Sequence, residues 1–223
     1  MITVRRSAAI LFAFEALIIA VPLVVLGRAV NWPQGLGDPA SVILPLVAAN
    51  EPGLRTGYLV YLGYSLLFLP VIAVAVTVGG RATGTAARLA VLLAGLSSLA
   101  RGIGILRWLT AMPTLAESWA DPALRPTIAL QYQVLNDFGG GIGELLGVAA
   151  FGAAAVGCAT AALRATVPTW LTWTGAGATL LAGLPLVELG GVDAGPLTSL
   201  GVTAVAVWLL GLAAVTVRRT RAA

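Results

Sequence analysis

The chain has no histidine, no lysine and a single cysteine, Cys158, and only 10% of its 223 residues are charged. Each scarcity removes chemistry. Without histidine there is no imidazole to ligate haem or zinc, and no Ser-His or Cys-His nucleophile pair. One cysteine cannot form an internal disulfide. Without lysine a Schiff-base cofactor such as retinal has no attachment point. No cofactor and no metal is therefore expected. The all-arginine basic set, beside abundant Ala, Gly and Val, fits a high-GC genome. Soluble domains carry about 25% charged residues, so the low charge also argues against water as the main solvent.

What is present agrees. The chain is 59% hydrophobic with a mean hydropathy of +0.96, more apolar surface than a soluble core of this size hides. Six apolar segments stand out, at about 8–30, 57–79, 89–110, 128–163, 169–188 and 195–217, each long enough to cross a hydrocarbon core. The expectation is a single domain over 1–223, an all-α integral membrane protein of six transmembrane helices. Arg5 and Arg6 ahead of the first segment resemble a signal peptide, but the apolar run is too long and no small-residue cleavage site follows, which reads as an uncleaved span. The net charge of +4 and pI near 10 do not point to nucleic acid, because no basic patch with interleaved aromatics is present. The arginines sit at segment ends instead. Arg5, Arg6, Arg81, Arg88, Arg164, Arg218, Arg219 and Arg221 alternate onto one side, cytoplasmic by the positive-inside rule. Asp38, Glu51, Glu117, Asp121 and Asp193 fall on the other. Both termini are expected inside, and the compartment is read as a bacterial cytoplasmic membrane.

The outer connection 31–57 is too apolar for a free loop. Asp38 followed by Pro39 reads as N-cap and first turn of a short helix near 39–49, lying on the membrane surface or over the bundle. "TLAESWADPALRPT" (114–127) reads as a second, smaller outer connection.

Helix rise places the charges within the spans. Measured from the cytoplasmic arginines, Arg101 lies about 20 Å in and Arg107 about 28 Å; Glu144 and Glu188 reach about 30 Å, and Glu15 about 14 Å. Arg28 returns to the outer boundary. Arg28, Arg107, Glu144 and Glu188 thus share one outer layer, with Arg101 and Glu15 deeper. Charges at such depth cost several kcal/mol unless they pair or reach water. The expectation is an Arg–Glu network in the outer half, with Arg107–Glu144 the best-matched pair. Two bland readings stand beside it: snorkelling of Arg28, Arg107 and Glu188 to the headgroups, and ligand-free ion pairing between spans.

On the third segment Arg101, Gly104 and Trp108 share a face, where a guanidinium over a glycine groove beside an indole suits a carboxylate or phosphate headgroup. Equally, the glycines suit close helix packing. Tyr58, Tyr61 and Tyr64 read as an interfacial aromatic belt, with Tyr61 and Tyr64 within reach of the polar layer. In "QYQVLNDFGGGIGELLG" (131–147), Asp137 and Glu144 share a face of an unbroken helix at about 10 Å, too far apart for a shared proton. The glycine triplet Gly139–Gly141 reads as a bend where an outer extension meets the span.

The stretch from Arg107 to Gly147 resembles a family of bacterial six-helix membrane proteins, domain of unknown function four-three-eight-six. Arg107, Trp108, Leu109, Pro113, Leu115 and Ala116 match its R-W-L…P-x-L-A block. Gly139, Gly143, Glu144, Leu146 and Gly147 match its G-x-x-x-G-E-x-L-G block. The later "LRATVPTWLTWTGAGATLLAG" resembles its basic loop and glycine-rich fifth helix. Many relatives carry histidine directly after the motif glutamate; Leu145 stands there here, so no histidine chemistry carries over. The resemblance implies the architecture and a focus on Arg107 and Glu144, not a reaction.

Three functions fit. The first is binding or transport of a small amphiphile, lipid headgroup or ion in an outer-half cavity formed by Arg101, Arg107, Trp108, Glu144, Glu188, Glu15 and Asp137. The second is a structural or regulatory subunit packing against a protein partner in the membrane, for which the small face of Gly143, Gly147 and Ala154 is suited. An intramembrane enzyme ranks below both, since no catalytic residue, activated nucleophile or paired-aspartate metal motif is visible.

Overall fold

The computed structural model describes residues 2–192 and 195–221; Asp193, expected on the outer side, lies outside them. The described residues are helical with no strand. Six helices are long and apolar enough to span a bilayer: α1 (Thr3–Val30), α3 (Glu51–Val78), α4 (Thr85–Ser118), α5 (Arg125–Leu163), α6 (Thr169–Gly190) and, within the last helix α7 (Gly195–Arg221), Ser199–Thr220. A short helix, α2 (Ala40–Ala49), joins α1 to α3.

Proline accounts for the interruptions. Pro22 cannot donate to the carbonyl four residues before it, and the ladder of α1 breaks at Ile19. Pro113 acts likewise in α4, where Thr110 leaves helical geometry at φ −123° and ψ −68°. The helix resumes over Ala111–Ser118, so the second outer connection begins later than expected and its first part is helical. Pro185 marks the tightening of the end of α6 into a 3-10 turn, Leu184–Gly190.

The spans close a ring. α4 packs between α3 and α5, α6 bridges α5 to α7, and α1 closes the ring between α7 and α3. Two apolar clusters fill it. One, at the end that carries both termini, includes Phe12, Ile72, Val156, Leu171 and Trp208. The other, at the opposite end, includes Leu26, Ile43, Leu44, Trp108 and Met112. Between them along α3 and α4 lies a buried polar layer: Ser65, Ser97, Ser98 and Arg101. Outward, Leu92, Leu99 and Ile103 of α4 are exposed, as a helix solvated by lipid requires.

α2 lies over the bundle end, not flat on a membrane surface. Its Ile43, Leu44 and Val47 are buried, and its nearest neighbour is the outer part of α4. Its N-cap position is taken by Pro39, extended at φ −69° and ψ 158°. Asp38 stands one residue outside and instead donates its backbone N–H to the Gly35 carbonyl at 3.1 Å. Proline's fixed φ suits the residue that enters the helix, and this moves the expected cap by one position.

The glycine triplet is not a bend. Gly140 (φ −64°, ψ −49°) and Gly141 (φ −54°, ψ −45°) stay helical, and α5 passes from α-helix (Arg125–Gly140) into a π-helix (Gly141–Gly152) before returning to α-helix (Ala153–Leu163). Such a run is rare and concentrates at functional sites. Close packing supports it here. A Cβ on Gly104 of α4 would lie 2.8 Å from the Gly143 Cα and 2.9 Å from the Gly139 oxygen, so the two backbones meet without side chains between them. The Ser97 hydroxyl donates to the Gly147 carbonyl at 2.6 Å, tying α4 to the π segment. Gly143 and Gly147 are therefore occupied inside the bundle by Gly104 and Arg101, which takes both glycines out of the small face expected to serve a protein partner, while Ala154 is half-buried.

Candidate functional site

A cavity of about 680 Å³ opens at the bundle end opposite the termini. Its walls come from α3, α4, the start of the π segment and the end of α6, and the 3-10 turn Gln34–Gly37 after α1 roofs it. Six of the seven expected site residues border it: Arg101, Arg107, Trp108, Asp137, Glu144 and Glu188.

Arg107 ends the unbroken part of α4 and points across to α5. Its Nη2 donates to Asn136 Oδ1 at 3.3 Å and stands 4.0 Å from Glu144 Oε1. That is the ion pair expected from depth, though a long one, with Glu144 37% exposed to the cavity and Arg107 9%. Gly139 leaves the space the guanidinium occupies, because a Cβ there would overlap the Arg107 side chain. Arg107 also stands 5.7 Å from the Trp108 ring. Trp108, almost wholly buried, stacks on Tyr58 at 5.2 Å with 11° between the planes.

Arg101 lies one layer deeper and is 6% exposed. Its guanidinium carbon sits 4.7 Å above the Tyr64 ring and 5.6 Å from Phe68, a cation on aromatic faces. The absence of a side chain at Gly147 lets its stem lie flat: a Cβ there would be 2.8 Å from Arg101 Cγ. The Nε atoms of Arg101 and Arg107 are both buried without a hydrogen-bond partner.

The remaining residues divide. Glu188 is half-buried in the wall and Asp137 is exposed at the mouth; neither forms an ion pair among the described residues. Arg28 is exposed, since the buried face of its helix is formed by Leu26, Ala29 and Val30, and it leaves the expected four-charge layer with three members. Glu15 is fully buried and outside the cavity wall, beneath it, and neither carboxylate oxygen has a hydrogen-bond partner.

Two wall residues carry no sequence signal for this role. Asn136 uses both ends of its amide, accepting from Arg107 and donating from Nδ2 to the Leu36 carbonyl at 2.7 Å. Trp32 meets Tyr61 edge-on at 5.3 Å, and Tyr61 stacks on Tyr64 at 6.0 Å, so an aromatic column runs from the roof down to Arg101. Tyr132 adds a second tie to the roof through its hydroxyl, which donates to the Asp38 carbonyl at 3.2 Å. Asn136→Ala is expected to loosen the roof. Its one hydrogen bond to the roof, worth about 1 kcal/mol, is lost, so amide exchange at Gly35 and Asp38 should rise about fivefold while the spans keep their protection. Unchanged exchange there would show that the roof holds without Asn136.

Among the described residues no group of three or more Asp, Glu or Cys side chains is placed to hold a metal ion. The site's capacity is electrostatic: two recessed guanidiniums backed by aromatic faces, with carboxylates toward the mouth. No curated protein and no solved structure matches the chain. The model of one family, described as a domain of unknown function (DUF4386), matches residues 7–219. Six apolar spans and a family match over nearly the whole chain agree: this is a multi-pass membrane protein that belongs to the DUF4386 family.

Proposed function

We propose that the protein binds a small amphiphile through its head group in this cavity, in the bacterial cytoplasmic membrane with both termini inside. The observation that carries the reading is the pair of guanidiniums, Arg101 and Arg107, in the wall of one cavity, with Glu144 4.0 Å from Arg107 and, among the described residues, no carboxylate within ion-pair distance of Arg101. A cation at that depth is costly without a counter-charge, and an oxyanion in the cavity would supply one. The cavity volume falls in the range of small-molecule sites. Arginine recognises carboxylate and phosphate groups better than a point charge does. The orientation is supported by Arg5, Arg6, Arg81, Arg88 and Arg164 gathering at the end that carries the termini, opposite the cavity.

The test is thermal unfolding in maltoside micelles with decyl sulfate, and with uncharged decanol as control. Decyl sulfate at 100 times its Kd should stabilise the protein by about 2.7 kcal/mol, and decanol much less. Arg107→Ala should weaken binding by about 2 kcal/mol, roughly 30-fold. No stabilisation of the wild type by the sulfate sinks the reading.

A second reading, a structural subunit, is favoured by one observation. α5 has 39 residues, about 58 Å against a hydrocarbon core of about 30 Å. Its extension exposes Leu130, Val134 and Phe138, spaced to form one stripe. A monomer in native detergent with nothing co-purifying removes this reading.

A further inference from the structure

We propose that Arg101 couples an anion in the cavity to a proton on Glu15, so that the protein takes up one proton for each monovalent oxyanion it binds. The inference rests on the cavity being a ligand site and adds what that site exchanges.

Arg101 has two sides. One borders the cavity. The other is turned to the interior, where Glu15 of α1 lies fully buried with both oxygens unpartnered. Phe12 and Ala16, neighbours of Glu15 on α1, share one buried cluster with Phe68, and the Arg101 guanidinium stands 5.6 Å from the Phe68 ring; Arg101 is the charge that acts on Glu15, yet they form no ion pair. Few other groups can intervene. From α3 the titratable neighbour of both is Tyr64, with Tyr61 stacked on it toward the cavity. From α7, which packs along α1, no charged residue occurs between Ser199 and Thr216. α5 carries no charge between Glu144 and Arg164, and Glu144 is turned to Arg107.

A buried guanidinium in this setting balances one negative charge, and a second costs the desolvation of an uncompensated anion. Above the pH at which Glu15 titrates in the empty protein, that charge is the Glu15 carboxylate. When an oxyanion enters, a buffer acid in the surrounding water gives up a proton, its bond to hydrogen breaking as an O–H bond forms on the Glu15 carboxylate, and the region keeps its net charge: one cation and one anion before, one cation, one anion and one neutral acid after. Linkage makes the effect reciprocal, so protonating Glu15 must tighten the anion by the same factor that the anion favours the proton. Affinity should then rise as pH falls, by up to about tenfold per pH unit through the titration of Glu15.

The experiment is calorimetric titration of the purified full-length protein in maltoside with decyl sulfate, whose own charge does not change near neutral pH, in two buffers of different ionisation enthalpy. Methyl sulfate, the same head without the chain, separates the sources. Tighter decyl sulfate assigns an amphiphile or lipid, equal affinity a free ion, and the proton count is expected for whichever binds. Wild type should take up close to one proton per anion in the titration range. Glu15→Gln, a neutral isostere, should bind with a proton count near zero and an affinity that no longer varies with pH. Glu51→Gln, which removes an exposed carboxylate at the head of α3 away from the cavity, should keep the wild-type count. Binding with the same proton count in wild type and Glu15→Gln overturns the coupling and leaves the cavity reading intact. Failure of both sulfates to bind the wild type overturns the two together.

Discussion

Gly104→Val is expected to abolish the folded bundle. The substitution puts a branched side chain where its first carbon alone would lie 2.8 Å from the Gly143 Cα, 2.9 Å from the Gly139 oxygen and 3.2 Å from the Gly143 nitrogen. All three obstacles are backbone, so no rotamer change relieves them, and the α4–α5 crossing must open. Ordinary overpacking costs about 1–3 kcal/mol; with backbone on both sides the cost here should reach at least about 3 kcal/mol, much of the stability of a typical domain. The same movement would detach the Ser97 hydroxyl from the Gly147 carbonyl and separate Arg107 from Asn136 and Glu144. Gly63→Val is the control: it lies in the same kind of span but has open space around it, and helix propensity adds no cost because valine ranks above glycine there. Unfolding of the two variants in detergent, followed by circular dichroism, decides the matter. Equal stability would mean the helices meet more loosely than their glycines permit.

Arg101→Leu should be the next most damaging change, and Glu15→Gln should rescue it. With Arg101 gone, Glu15 remains fully buried with neither oxygen hydrogen-bonded and without the one cation that acts on it. A buried carboxylate stripped of its compensating cation either stays charged at a cost of several kcal/mol or is forced to take up a proton, whereas replacing both groups by neutral ones is often close to harmless. Glu15→Gln alone should cost less, because Arg101 retains the Tyr64 and Phe68 faces and its contact with the cavity. The double variant Glu15→Gln, Arg101→Leu should therefore be more stable than Arg101→Leu alone, with a coupling energy of at least about 1 kcal/mol. Strictly additive costs in that cycle would show that the two residues do not sense each other. The calorimetric proton count addresses a separate matter, namely whether a ligand competes for the same cation.

Much of this site was legible as depth. Counting residues along helices brought Arg107 and Glu144 to one level, and they stand 4.0 Å apart. It placed Arg101 beneath them, and Arg101 is a buried cation of the cavity wall. Depth is readable because helix rise varies little along most of each span and the bilayer supplies a common ruler. Azimuth is less so. Arg28 has the right depth and the wrong face, and Glu15 faces the interior beneath the cavity instead of lining it. The roof escaped as well. Asn136 and Trp32 act through the Leu36 carbonyl and the Tyr61 ring, partners far away in the chain, and no spacing within either segment announces such contacts.

The glycine triplet shows the same division. Composition marks "FGGGIGELLG" as unusual, and the expected bend assumed that glycine weakens a helix. In the folded bundle those glycines face Arg107 and the backbone of α4, and the helix widens into a π segment instead of breaking. By itself, then, the sequence determined the solvent, the number of spans, their limits to within eight residues and the shared level of Arg107 and Glu144, because those follow from hydropathy and helix rise alone. Only the tertiary structure decided which charges meet, where α5 changes its winding and what roofs the cavity, because each depends on the rotation of one helix against another, and that is set by side-chain and glycine packing between segments distant in the chain.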